Sequence, residues 1–176
     1  GSGYHLITNQ EWMLLANDVF SVADNWTTGI VGQGLLVRGN SNGSAALDGS
    51  APGTIRTTNY RIHTLTNGFS IWDLAGNITE WTNNTCQQGS GFGYWYNTNT
   101  EWNNTNLADY EKPMAGPPGP YITTQGMGWY WTCLANGNAF LRGGYWGDGS
   151  IAGVFALNLG RSPTYTDNGI GFRCAR

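Results

Sequence analysis

Apolar positions recur at helical spacing early in the chain, at Trp12, Leu15, Ala16 and Val19, which predicts a helix with one face turned to a core. Thr8 stands three residues before Glu11, the spacing of a capping box that satisfies two free backbone donors at a helix start. Beyond the helix the pattern shortens. One apolar stretch, "GLLVRGN", lies in the glycine- and serine-rich segment 29–53 and reads as a strand. Residues 69–82, "FSIWDLAGNITEWT", hold apolar residues about a tight "AGN" turn. The C-terminal third gives "AFLRGGYW", "AGVFALNL" and "IGFRCAR". In the last, Ile170, Phe172 and Cys174 alternate with Gly171, Arg173 and Ala175, the period of a half-buried strand.

Residues 83–132 break this order. Asn, Thr, Gly and aromatics dominate, with "PMAGPPGP" near the middle. The segment reads as a long irregular insertion with a short helix near Leu107–Glu111, and loops of such length are uncommon unless functional. Its aromatics Tyr94, Trp95, Tyr96, Trp102, Trp129 and Trp131 suit either a satellite core or a sugar-stacking surface, with the core reading preferred.

Composition narrows the class. The chain has 176 residues, 11% of them charged, with 27 glycines and 40% hydrophobic residues. This fits one α+β domain with short twisted antiparallel strands, one or two helices and long loops. Residues 1–3 read as a cloning scar, leaving 4–176 as the domain. A net charge of −3 gives no basic stripe for nucleic acid, and no apolar run is long enough to insert in a membrane. The cysteines are Cys86, Cys133 and Cys174. A Cys86–Cys133 disulfide and three inert thiols both fit that odd number. His5 and His63 make no metal-ligand spacing.

Four pieces in order, "YHLITNQEW", "IWDLAGNITEW", "LRGGYW" and "GFRCAR", resemble the formylglycine-generating-enzyme branch of the C-type lectin fold. The catalytic members of that branch need two reactive cysteines shortly after the "RGGSW"-like strand. This chain has no Cys between Trp146 and Cys174, so thiol oxidation has no residues to carry it. The calcium triplets of the sugar-binding branch are missing as well. In the resembled enzymes the "GN-x-x-EW" turn can hold a structural calcium ion, which places Asn77, the Ile78 carbonyl and Glu80 as oxygen ligands. The alternative, held equal, is that Asn77 fills a positive-φ turn position and Glu80 pairs with an arginine. No cofactor is otherwise implied.

Residues 142–176 resemble the variable region of diversity-generating retroelement target proteins. There a reverse transcriptase miscopies template adenines and writes the product over the 3′ end of the gene. An Asn codon randomised at its adenines never yields Met, Trp, Lys, Glu or Gln. Composition predicts about three of these types between Gly147 and Gly169, and the window holds none. The resemblance implies displayed, variable positions at Tyr145, Gly147, Asp148, Ile151, Gly160, Arg161, Pro163, Tyr165, Thr166, Asp167, Asn168 and Gly169. Around them, Arg142, Gly143, Gly144, Trp146, Val154–Leu157, Leu159 and Ile170–Arg173 form the fixed scaffold, with Trp146 and Phe155 pointing inward. The implied function is a non-enzymatic, hypervariable ligand-binding protein of receptor or adhesin type on a virion or cell surface. Its partner would be a macromolecule or glycan. The rival readings are a family enzyme with another site and a carbohydrate-binding module using Trp95 and Trp102.

Overall fold

The structure, a computed structural model, describes residues 3–42, 60–87, 102, 115–119 and 125–176. The α-helix α1 (Asn9–Ser21) starts where the capping box predicts. The Thr8 hydroxyl accepts the Glu11 amide at 3.2 Å, and the Glu11 carboxylate accepts the Thr8 amide at 2.9 Å. Its buried face is Trp12, Met13, Ala16 and Val19; Leu15 packs at the margin.

Among the described residues, nine strands follow the helix or flank it. They are β1 (His5–Leu6), β2 (Ile62–Thr64), β3 (Ser70–Trp72), β4 (Thr79–Thr85), β5 (Tyr130–Trp131), β6 (Ala139–Arg142), β7 (Leu157–Asn158), β8 (Ile170–Phe172) and β9 (Cys174–Ala175). The principal sheet has the order β5-β7-β6-β4-β8, and separate two-stranded pairings join β1 to β9 and β2 to β3. The fold is α+β as expected, but the sheet is mixed and not purely antiparallel. β4 runs parallel to β8, and β5 parallel to β7. The β1–β9 ladder brings the two ends of the chain together.

Three expectations need correction. "GLLVRGN" forms no strand: Leu36 makes an isolated bridge to Trp26, and Leu36 and Val37 are buried as loop residues. Within the segment 83–132, read as irregular, β4 runs on to Thr85 and β5 joins the sheet through β7. The closing ribbon keeps period two with the opposite phase. Phe172 is 68% exposed and Cys174 is exposed, while Arg173 and Ala175 turn partly inward. Arg173 sets that phase, because its guanidinium binds the buried Glu80 carboxylate and its partner face must follow. The expected helix at 107–111 and the aromatics Tyr94–Tyr96 lie outside the described residues.

The core is centred on Trp12, Trp26, Leu36, Leu74, Met127, Phe155, Leu157 and Leu159, all fully buried. The two tryptophans spend their N–H groups on carbonyls, Trp12 on Val154 and Trp26 on Phe20, each at 2.8 Å. Trp102 belongs to this core, its ring 5.4 Å from Tyr130, which is the packing role preferred for it. Cys86 and Cys133 are joined by a disulfide across 47 residues, and Cys174 is free.

Candidate functional site

The site grows out of the end of β6. Arg142 is fully buried and its guanidinium donates to the Asn9 side chain at 3.0 Å, the Ala115 carbonyl at 2.8 Å and the Phe155 carbonyl at 3.1 Å. Burial among neutral acceptors pushes it down to about 9. It ties the helix start, the site ribbon and the neighbouring loop into one unit. Gly143 (φ 85°) and Gly144 (φ 74°) then turn the chain. A Cβ at Gly143 would stand 2.9 Å from the Leu74 carbonyl, so only glycine fits. The Asn77 turn clamps this ribbon from outside: Gly76 N–H donates to the Gly143 carbonyl and Trp146 N–H to the Asn77 carbonyl, both at 3.1 Å.

From here the chain makes two loops separated by buried ribbon. In the first, Asp148 folds back so that its carboxylate accepts the Tyr145 amide at 2.9 Å, and a 3-10 turn follows over Gly149–Ile151. Burial pushes Asp148 up to about 6, against the opposing pull of that amide hydrogen bond. Residues 152–157 are buried throughout. In the second loop, Asp167 accepts the Gly169 amide at 2.8 Å, and Arg161 lies over the Tyr165 ring at 4.4 Å. Asn158 accepts the Gly160 amide at 2.8 Å.

The two loops converge on one cleft of about 140 Å³. Tyr145, Asp148, Arg161, Tyr165, Asp167 and Gly169 line it. Six of the twelve expected positions therefore meet around one opening. Gly147, Thr166 and Asn168 are exposed beside it, and Pro163 lies on a separate groove with Phe172 and Trp81. Ile151 lines a second cavity, of about 70 Å³, and Gly160 sits over Trp131.

Two placements differ from those expected. Gly169, expected among the displayed positions, is buried where it lines the cleft. Trp146 is half-buried and does not anchor the core; its ring meets Tyr145 edge-on at 5.3 Å. The inward anchors are Val154 and Phe155, which arrive with the buried ribbon after the first loop. The reason is local: two consecutive left-handed glycines redirect the strand before residue 145, so strand alternation no longer governs which of the two aromatics points in.

The smaller cavity contains residues outside the expected variable positions, two of them aromatics of the 83–132 segment. Trp129, Trp131, Asn158 and Thr79 line it, and it shares Thr79, Leu141, Asp148 and Asn158 with the cleft. Trp129 and Trp131 come from the "GWYWT" run and reach this place because β5 pairs with β7.

The proposed calcium ligands are otherwise engaged. Asn77 has φ 63°, a turn conformation, and both Glu80 oxygens bind the Arg173 guanidinium, one at 2.5 Å. Burial raises Glu80, and Arg173 pulls it back. The donor set does not fit a cation, since its one carboxylate already carries a guanidinium. Among the described residues no group of three His, Cys, Asp or Glu side chains is arranged for a metal, and no helix is long and apolar enough to cross a membrane.

No curated protein matches the chain. Its sequence matches the FGE-sulfatase family, described as the sulfatase-modifying factor enzyme 1-like domain, over residues 4–176. With that match across nearly its whole length, and an α+β fold among the described residues, the chain belongs to the sulfatase-modifying factor enzyme 1-like family.

Proposed function

We propose that this protein is a non-enzymatic ligand-binding member of its family, of receptor or adhesin type, whose C-terminal loops are diversified by a retroelement through adenine mutagenesis. The observation that carries the reading is the convergence of the two loops. The window 147–169 lacks all five residue types that a randomised Asn codon cannot encode, and both of its loops border one cleft. Between them lies a ribbon buried from Ala152 to Leu157. Exposed positions usually change stability by under about 0.5 kcal/mol, whereas core truncations cost about 2–5. Alternating loops and buried ribbon keeps sequence change on the inexpensive side of that divide.

Two further facts favour the reading. The free cysteine, Cys174, is exposed in the closing ribbon, and the other two are bonded to each other, so the cysteine pair that the family's oxidation chemistry uses has no counterpart beside the cleft. A disulfide also suits an oxidising compartment, in keeping with a virion or cell surface. The carbohydrate-module alternative loses Trp102, which is only 4% exposed.

Sequencing the gene from many natural isolates, together with its flanking DNA, tests the proposal. The expected result is variation confined to the codons of the two loops. A near-copy of the 3′ end, differing at adenines, should lie beside a reverse transcriptase gene. An invariant 3′ end with no such copy overturns it.

A further inference from the structure

We infer that the groove holding Trp81 and Phe172 is the constant half of the binding surface, and that it takes an apolar side chain of the same protein ligand that the diversified loops contact. The inference rests on the ligand-binding reading and adds to it a partner class and an anchor that does not vary. Register puts the two openings on one face of one sheet. Thr79 and Ile170, paired across β4 and β8, line the cleft; Trp81 and Phe172, the next pair on that face, line the groove. On β6 the same step leads from Leu141 in the cleft to Ala139 in the groove. Side chains two residues apart on a strand share a face and stand about 7 Å apart.

The second loop contributes to both openings. Arg161 and Tyr165 border the cleft, and Pro163 borders the groove. The Arg161 carbonyl accepts the Ala139 amide at 3.0 Å, which fastens this loop to the sheet at the groove. A stable protein interface buries about 800 Å² on each partner, a patch much wider than a step of about 7 Å. A protein seated on the cleft therefore covers the groove as well.

Chemistry selects what enters it. Among the described residues that line the groove none is charged, whereas Asp148, Arg161 and Asp167 border the cleft. The groove's rings are Trp81, half-buried, and Phe172, 68% exposed. Two of its polar groups are already committed: the Asn84 side-chain oxygen accepts the Asn9 amide at 2.6 Å, and the Thr82 hydroxyl donates to the Phe140 carbonyl at 3.3 Å. A sugar brings hydroxyls all round its ring, and each one left unpaired on leaving water is a cost. An apolar side chain brings none, and it gains by covering the two rings. A groove of about 580 Å³ has room for a small molecule. Small-molecule sites, however, bury about 70–90% of their ligand, and a groove bordered by so exposed a ring is too open for that. A protein partner closes it from above. Of these residues only Pro163 belongs to the diversified positions, so the apolar contact persists while the loops change.

The test is selection from a phage-displayed library of random peptides about a dozen residues long, enough to span both openings at roughly 3.3 Å per residue. Peptides selected on the full chain are retained if they lose binding to the Tyr145→Ala/Arg161→Ala/Tyr165→Ala variant, then synthesised and titrated by calorimetry. They should carry an aliphatic or aromatic side chain whose replacement by Ala weakens binding. Phe172→Ser should weaken them about tenfold to a hundredfold, the effect of leaving a large apolar side chain in water. Phe172→Leu should keep most of the affinity. Because Phe172 is exposed, neither change should move the melting temperature appreciably. Loop-dependent peptides that bind Phe172→Ser as well as wild type overturn the inference, as does a library that yields no loop-dependent peptide. Displacement of the peptides by N-acetylglucosamine would make the groove a sugar site. A dimer of the free protein in sedimentation, lost in Phe172→Ser, would give it to a second copy. Either result overturns the assignment. None of these outcomes bears on the gene-level variation, so the diversification reading fails or survives separately.

Discussion

At residue 145 the site couples positions that a repertoire of independent loop residues would keep apart. A Cβ at Gly147 would lie 2.9 Å from the Tyr145 ring, and one at Gly169 would lie 2.7 Å from it. Neither glycine has a left-handed φ, so the backbone accepts other residues there and only the ring forbids them. Gly169→Ala should therefore lose about 1–3 kcal/mol, the usual cost of overpacking a filled site. In the Tyr145→Ser background the same change should cost under about 0.5 kcal/mol. Urea unfolding of the four proteins in this cycle checks it. Equal costs in both backgrounds would mean that the ring simply moves aside. If the coupling holds, large residues at 145 occur in the natural population only with glycine at 147 and 169. The exposed pair behaves differently: Arg161 over Tyr165 is a surface cation–π contact worth about 0.5–1 kcal/mol, so Arg161→Ala should barely shift the melting temperature.

At the scale of elements, the helix was legible because its signal is local. Thr8 and Glu11 mark its start, and Trp12, Ala16 and Val19 mark its face, all within a dozen residues. Thr8→Ala should destabilise by about 1 kcal/mol, read as a lowered melting temperature with the fold intact. The strands were legible as segments but not as partners. Period two locates a strand without telling which phase faces the core, and in the closing ribbon the phase is decided by Arg173, whose partner Glu80 lies 93 residues away. That pair is mostly buried, so removing one partner strands the other. Arg173→Met should lose about 3–5 kcal/mol, and the Glu80→Gln/Arg173→Met double variant should recover part of it. If the double variant is no more stable than Arg173→Met alone, the pair acts only through packing. The site divides in the same manner. Its loops fall inside a sequence window that lacks five residue types, whereas its floor depends on the β5–β7 pairing, which brings Trp129 and Trp131 beside Asn158 from outside the loop region. No local pattern encodes that contact.

Across the whole molecule, two buried titratable groups oppose one another as pH changes. Burial lowers His63 to about 4; the Val37 carbonyl and Asp73 resist that shift, and Arg173 adds to it. An unfolded His titrates near about 6.5, so the neutral buried form contributes stability that is complete above that pH and is lost as pH falls toward about 4. Asp148 has the reverse sign. Its folded value is raised to about 6 from the ordinary 3.8, so the folded state holds a proton that the unfolded chain has already released. The stability from that proton is complete below the ordinary value and is lost as pH rises through about 6. Between roughly pH 4 and 6 the two slopes cancel in part. Asp148→Asn removes one slope and leaves the other. Its melting temperature relative to wild type should therefore climb steadily from pH 4 to pH 7, measured by calorimetry in matched buffers. A difference that stays constant over that range would mean that the Asp148 carboxyl ionises in the folded cleft as it does in the open chain, and that the loop holding it is wetter than its burial implies.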